Sequence, residues 1–397
     1  MRRSACLLLL FTSGCSFVHL KREVQRINKT AYVLGSLTGE LDASAPIYLV
    51  HLVGTKKRSV QRLTPQFPEF DLLVRLGEVN DVEVFQDLDG DLIYDLGEPC
   101  GYQRKLDNLE SLGKAAVELP PLRLDPETTL PVPLALDTAR TTNGGTFGEV
   151  VPLTDARYSD ERISEGVWTP LRATRRGGWG IHFLEPHRAG RLPVLFVHGI
   201  HGSPRNFEQL IARLDRTKYE PWVAYYPSGI RLPVLSQILA GLLSRAKDSV
   251  GVDRLFIVAH SMGGLVARGA LLLLAEKSEP SPVAALVTLG TPWGGHPGAA
   301  FAVENAPEAV PSWIDMAPKS KFLHTLEQPL TVPQYLFFGI GGRSSKYDDN
   351  NDGVVTVASQ LPRWAQDQSR AVIGFNENHM GILSSAEVEA KLWPLLK

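Results

Sequence analysis

The chain has 397 residues, enough for two domains, and its 44% hydrophobic content with 35 Gly and 28 Pro is that of a globular protein, not a collagenous or disordered one. Lys and Arg (41) nearly balance Asp and Glu (43), leaving a formal net charge of -2 and no electrostatic footing for a nucleic-acid partner.

Arg2-Arg3 followed by an apolar run from Ala5 to Phe11 has the charged-then-apolar layout of a secretory signal, too short to span a bilayer as a stable helix. Thr12-Ser13-Gly14-Cys15 resembles a bacterial lipobox. That resemblance implies a lipoprotein signal peptide over 1–14 and a lipidated Cys15 that ties the protein to a membrane. Ser16 after it favours the outer membrane of the cell envelope. The alternative is a plain signal peptide and a secreted or periplasmic protein. With Cys6 in the removed segment and Cys15 carrying lipid, Cys100 has no disulfide partner and is read as structural. Residues 15–30 are polar and charged, as a tether between lipid and fold would be.

From Tyr32 onward short β-prone runs alternate with Gly, Pro and Asp: Pro46 to Val53, Phe70 to Val74, Asn80 to Phe85. This predicts an all-β sandwich over 31–137, similar in pattern to the prealbumin-like or Ig-like modules of secreted enzymes. Within it, Asp87, Asp89, Asp91, Asp95 and Glu98 stand at positions 1, 3, 5, 9 and 12 of a twelve-residue loop, which is EF-hand spacing. Leu92 occupies position 6, where the sharp turn wants glycine, and the flank is strand-like. An EF-hand is thereby disfavoured, and two readings stay open: a structural calcium site, or a solvated acidic hairpin turn. Residues 138–190, rich in Pro, Thr, Arg and Gly, read as a connector.

From Leu192 apolar strands alternate with amphipathic helices, the pattern of a mostly parallel α/β sheet with helices on both faces. A domain over 191–397 is expected, with strands at Pro193–Val197, Pro221–Tyr226, Arg254–Ala259, Ala284–Leu289, Gln334–Ile340 and Ala371–Gly374. Ala259-His-Ser261-Met-Gly263 lies between an apolar strand and an Ala/Leu-rich helix. A nucleophile elbow needs this layout, in which a tight turn lifts one hydroxyl above the sheet and small residues two before and two after it let the backbones approach.

Acyl transfer by Ser261 requires a base, an acid that orients the base, and oxyanion donors. Of the histidines after Ser261, His296 and His324 precede the penultimate strand; only His379 follows the last one, in the order serine, acid, histidine. The loop after Ile340 offers Asp348, Asp349 and Asp352. Asp352-Gly353-Val-Val355 resembles the Asp-Gly-φ-Val motif of lipases, with Gly353 relieving the turn beside the carboxylate, and that resemblance selects Asp352. In the loop after Val197, His198-Gly199 lets the amide of Ile200 point toward the serine, to act with the amide of Met262 as the oxyanion pair. His198, His201 and His260 are read as bracing loops. The apolar insert 296–326 reads as a lid.

Val197-His-Gly-Ile200, Tyr226-Pro-Ser-Gly229, Ala259-His-Ser-Met-Gly-Gly264, Leu289-Gly-Thr-Pro292, Asp352-Gly-Val-Val355 and Asn378-His-Met-Gly381 together resemble the serine lipase/esterase branch of the α/β-hydrolases. The GPI inositol-deacylase-like group is close in motif. The resemblance implies an α/β-hydrolase that cleaves carboxylic esters of lipid-like or acyl substrates with no catalytic cofactor. The same triad would serve a thioesterase, phospholipase or acyltransferase, and a catalytically inactive surface-anchored binding protein is the alternative from another class.

Overall fold

Alternating apolar residues give the N-terminal strands two distinct faces. The computed structural model describes residues 14–66, 68–136, 145–276, 281–342 and 350–396. Residues 1–13 of the signal peptide expected over 1–14, and the fallback acids Asp348 and Asp349, lie outside the described residues. Helix α1 (Gly14–Ile27) leads into β1 (Thr30–Thr38), β2 (Ile47–Val53), β3 (Lys56–Leu63), β4 (Glu69–Arg75), β5 (Asn80–Gln86), β6 (Cys100–Gln103), β7 (Ala116–Glu118) and β8 (Leu122–Arg123). These strands form two four-stranded sheets among the described residues. One has the order β4-β1-β7 with β8 also on β1, and the other runs β3-β2-β5-β6. The first is mixed, because β7 and β8 run parallel to β1. Ile47 and Leu49 of β2 and Val82 and Val84 of β5 face the first sheet, while Tyr48, Val50 and Phe85 turn to a separate cluster under Leu130 and Leu134. That is the period of two expected of strands.

The expected tether over 15–30 is instead mostly helix α1. Phe17, Leu20, Val24 and Ile27 recur at helical spacing, and Leu20 and Ile27 are buried. Its charged residues masked this stripe in a reading by composition. The buried Glu23 carboxylate accepts a hydrogen bond from the Arg172 amide at 3.1 Å, docking the helix.

The expected connector also proves to be structured. It contributes β9 (Thr146–Val150), α2 (Asp160–Trp168), α3 (Pro170–Arg176) and β10 (Gly180–Phe183). Then follow β11 (Leu192–Val197), α4 (Glu208–Ala212), β12 (Tyr219–Tyr225), α5 (Leu232–Val250), β13 (Leu255–His260), α6 (Met262–Glu276) and β14 (Val283–Leu289). The insert holds α7 (Pro297–Asn305), α8 (Pro311–Met316) and α9 (Lys321–Thr325). The chain closes with β15 (Gln334–Gly339), α10 (Val357–Gln360), α11 (Arg363–Asp367), β16 (Ser369–Phe375) and α12 (Ala386–Leu392).

The large sheet has the order β16-β15-β14-β13-β11-β12-β10-β9. It is parallel from β12 to β16, and β10 turns antiparallel to β12. The step from β11 to β12 runs one way along the sheet, whereas the steps from β12 to β13 and on to β14 run the other way. Right-handed crossovers then put α4 on one face and α5 and α6, which pack on each other, on the opposite face. Tyr32, Leu112 and Ala116 of the sandwich belong to the same buried cluster as this sheet, so the two parts share one core.

Candidate active site

The strand order reverses between β11 and β13, so the loops leaving their carboxyl ends part and open a crevice. Ser261 stands there, at the turn from β13 to α6, with φ of 54°, a left-handed conformation that a side-chain-bearing residue adopts only when its surroundings impose it. The imposing contacts are its amide donating to the Leu289 carbonyl at 2.9 Å and its carbonyl accepting from the Gly264 amide at 3.0 Å. A Cβ at Gly263 would stand against the carbonyl oxygens of Val197 and His198, which is why the second small position of the elbow is glycine. Ala259 at the first position is fully buried.

His379 lies in the loop after β16, and Asp352 in the loop after β15. Their side chains meet at 2.7 Å, His379 Nδ1 to Asp352 Oδ2, and both residues are buried. The other carboxylate oxygen of Asp352 accepts the amides of Val354 (2.9 Å) and Val355 (2.7 Å), while the Asp352 carbonyl accepts the amide of His379 at 2.8 Å. The acid is thereby held in orientation by its own turn, which Gly353 enters at φ of 95°. With Nδ1 donating to Asp352, the His379 Nε2 is left as the basic nitrogen. His260, next to Ser261 in sequence, supplies a link that its local sequence does not betray. Its Nε2 donates to the His379 carbonyl at 2.8 Å, and the two rings lie 4.6 Å apart. The partner is 119 residues away.

The loop after β11 reaches the elbow through Gly199, where a Cβ would come within 2.8 Å of the Ser261 Cβ. His198 is fully buried, donates from Nδ1 to the Gly199 carbonyl at 2.8 Å, and stacks on Tyr226 with centroids 4.2 Å apart. Burial holds its pKa down at about 4. The Tyr226 hydroxyl donates to the His198 carbonyl, and Ser228 Oγ accepts the His201 amide at 3.1 Å. The loop carrying Ile200 is therefore fixed on both sides of that residue. Met262 is the first residue of α6, and amides of a first helical turn have no acceptor inside the helix.

Residues 193–339 match the family described as alpha/beta hydrolase fold. The fold is that of an α/β-hydrolase. No curated protein matches the chain. Among solved structures, it is similar to the mature form of Bacillus licheniformis lipase BlEst2 at 18% identity, over 55% of this chain and 98% of that one, with a TM-score of 0.45. It is also similar to the lin2722 gene product of Listeria innocua (16% identity, 52% and 94% covered, TM-score 0.39) and to Legionella pneumophila phospholipase PlaB in complex with thio-NAD (16% identity, 43% and 44% covered, TM-score 0.34).

Beside Ser261 the chain has a cavity of about 280 Å³ lined mainly by apolar residues, among them Ile200, Ala299, Ala302, Trp313, Met316 and Val355. The insert between β14 and β15 thus forms part of its wall. His296 also borders the cavity, with Nε2 on the Val354 carbonyl at 2.9 Å, and burial lowers its pKa. His324 is on the outside, paired with Glu327. The acidic loop of the sandwich shares no residue with the cavity. Asp87, Asp89 and Asp91 each bring a carboxylate oxygen within 4.8 Å of the others. Glu98 is occupied by the amides of Leu88 and Asp95. Leu92 itself takes the left-handed turn, at φ of 68°, that seemed to want glycine, with the Asp87 carboxylate accepting its amide at 3.3 Å. Cys15 falls in the first turn of α1. No helix among the described residues is long and apolar enough to cross a membrane.

Proposed function

We propose that the protein is a serine hydrolase that cleaves carboxylic esters of acyl or lipid-like substrates through an acyl-enzyme. The observation that carries this reading is the buried His379–Asp352 pair, 2.7 Å apart, in loops that converge on a serine held at positive φ beside an apolar cavity. His379 Nε2 takes the proton of the Ser261 hydroxyl as its oxygen attacks the ester carbonyl. Asp352 keeps the imidazole in the tautomer that can accept that proton and stabilises the imidazolium that results. The amides of Ile200 and Met262 receive the negative oxygen of the tetrahedral intermediate. Collapse expels the alcohol, protonated by His379, and leaves the acyl group on Ser261. Water, deprotonated by the same histidine, then releases the acid.

The test is hydrolysis of p-nitrophenyl esters together with labelling by a fluorophosphonate probe. Wild-type protein is expected to do both and Ser261→Ala neither. Asp352→Asn is expected to lose on the order of 10⁴-fold in kcat, because an amide cannot hold the required tautomer. Full activity in Ser261→Ala would end the proposal. We also propose anchoring through a lipid on Cys15, tested by metabolic labelling with a fatty acid that Cys15→Ser should abolish.

A further inference from the structure

One wall of the Ser261 cavity has a second layer behind it. Ile200 and Trp313 line the cavity and also pack against a buried cluster of Leu20, Val167 and Val310, which Phe17 and Trp168 join. Phe17 of α1 meets Trp168 of α2 edge-on, with centroids 5.8 Å apart and planes at 75°. Trp168 in turn meets Trp313 of α8 edge-on, at 5.8 Å and 86°. An aromatic column therefore runs from the start of α1 to the cavity wall. Both of its ends are pinned: α1 through Glu23 on the Arg172 amide, and α8 through Asp315, which accepts from Arg231 (2.7 Å) and the Leu232 amide (2.8 Å).

The volume of about 280 Å³ falls just below the usual range for a ligand cavity and suits a short or medium acyl group. We infer that α1 sets the acyl-chain selectivity of this site: Phe17 and Trp168 hold Trp313 against the cavity, so that short and medium acyl groups are preferred to long ones. The inference rests on the proposed ester hydrolysis. A ring in a packed interior keeps its place because atoms fill the space behind it, and once they are removed it has room to swing and the cavity grows. Neither Phe17 nor Trp168 lines the cavity, so a change of selectivity in their variants can arise only through the wall.

The experiment measures kcat/KM of the full chain for p-nitrophenyl butyrate, octanoate and laurate in the wild type, Phe17→Ala, Trp168→Ala and Trp168→Phe. The laurate-to-butyrate ratio is expected to rise about threefold to tenfold in the two alanine variants. Trp168→Phe, which restores an aromatic ring, should return toward the wild-type profile, and the rate of fluorophosphonate labelling at Ser261 should stay near wild type in all. If Trp168→Ala does not fold, the change at the half-buried Phe17, Phe17→Ala, decides alone. Folded alanine variants with an unchanged ratio would overturn the inference while leaving ester hydrolysis intact. A wild-type protein inert to all three esters, with no labelling, would instead remove the proposed function and this inference with it.

Discussion

Several histidines in this molecule are buried in the neutral form, and each is satisfied as such. His182 accepts or donates at both nitrogens, Nδ1 with the Tyr158 hydroxyl at 2.7 Å and Nε2 with Thr146 Oγ1 at 2.8 Å. Burial, aided by the charge of Arg157, pushes its pKa down to about 4. His198 is held at about 4 by burial, and burial with the neighbouring His379 takes His260 well below its ordinary value. A histidine whose pKa is lower in the folded than in the unfolded chain binds fewer protons when folded, between about pH 6.5 and pH 4. Its stabilising contribution is therefore complete above about pH 6.5 and is lost as the pH falls toward 4. Thermal melts across this range are expected to show a falling Tm on acidification, and a flat Tm would contradict the assignment. At this scale local sequence was informative where the chemistry is local. Ser261 could be picked out by its turn and His379 by its order in the chain, whereas the hydrogen bond from His260 to the His379 carbonyl required the fold.

Among elements, α6 does more than carry the elbow. Its Arg268 is fully buried and donates to the carbonyls of Leu326 and Gln328 and to Gln334 Oε1, each at 2.7 Å. The guanidinium lies 5.0 Å from the Trp364 ring centroid and 5.9 Å from that of Trp293. This ties the end of the insert, β15 and the segment before β16 to the helix behind Ser261. Nothing in the Ala/Leu-rich pattern of α6 distinguishes this arginine from one that reaches solvent, because its acceptors come from segments about sixty residues away in sequence. Arg268→Met would leave those oxygens without a donor, at about 1–3 kcal/mol each. The variant is expected to lose about 5 °C or more of Tm in calorimetry, and an unchanged Tm would show that the network contributes nothing. Helix α1 was hidden for a different reason. Its stripe of Phe17, Leu20, Val24 and Ile27 is narrow and set among charges, so composition suggested a tether where periodicity would have suggested a helix.

For the whole molecule, the sandwich is built into the α/β part. Ala116 donates its amide to Gln237 Oε1 at 2.8 Å, Arg231 donates to the Gly113 carbonyl at 2.7 Å, and Arg245 pairs with Glu69 at 3.3 Å. All three α/β partners lie on or beside α5, the helix packed against α6. A fragment cut at the expected boundary, 191–397, would lack β9 and β10 and expose the face of α5 that the sandwich covers. It is expected to aggregate or to melt without a cooperative transition, whereas residues 14–397 should unfold in one. A stable, cooperatively folded 191–397 fragment would show that the shared core is dispensable. What the sequence determined alone is the local grammar: the strand-turn-helix around Ser261, the alternation that makes an α/β sheet, and the order of serine, acid and histidine. Each follows from neighbours within a few residues, through backbone geometry and the period of apolar side chains. Only the tertiary structure decided that Asp352 and His379 touch, that β9 and β10 extend the sheet, and that α1 backs the cavity wall. Those contacts depend on which buried surfaces fit one another across long stretches of chain, and a residue's own neighbours carry no record of that.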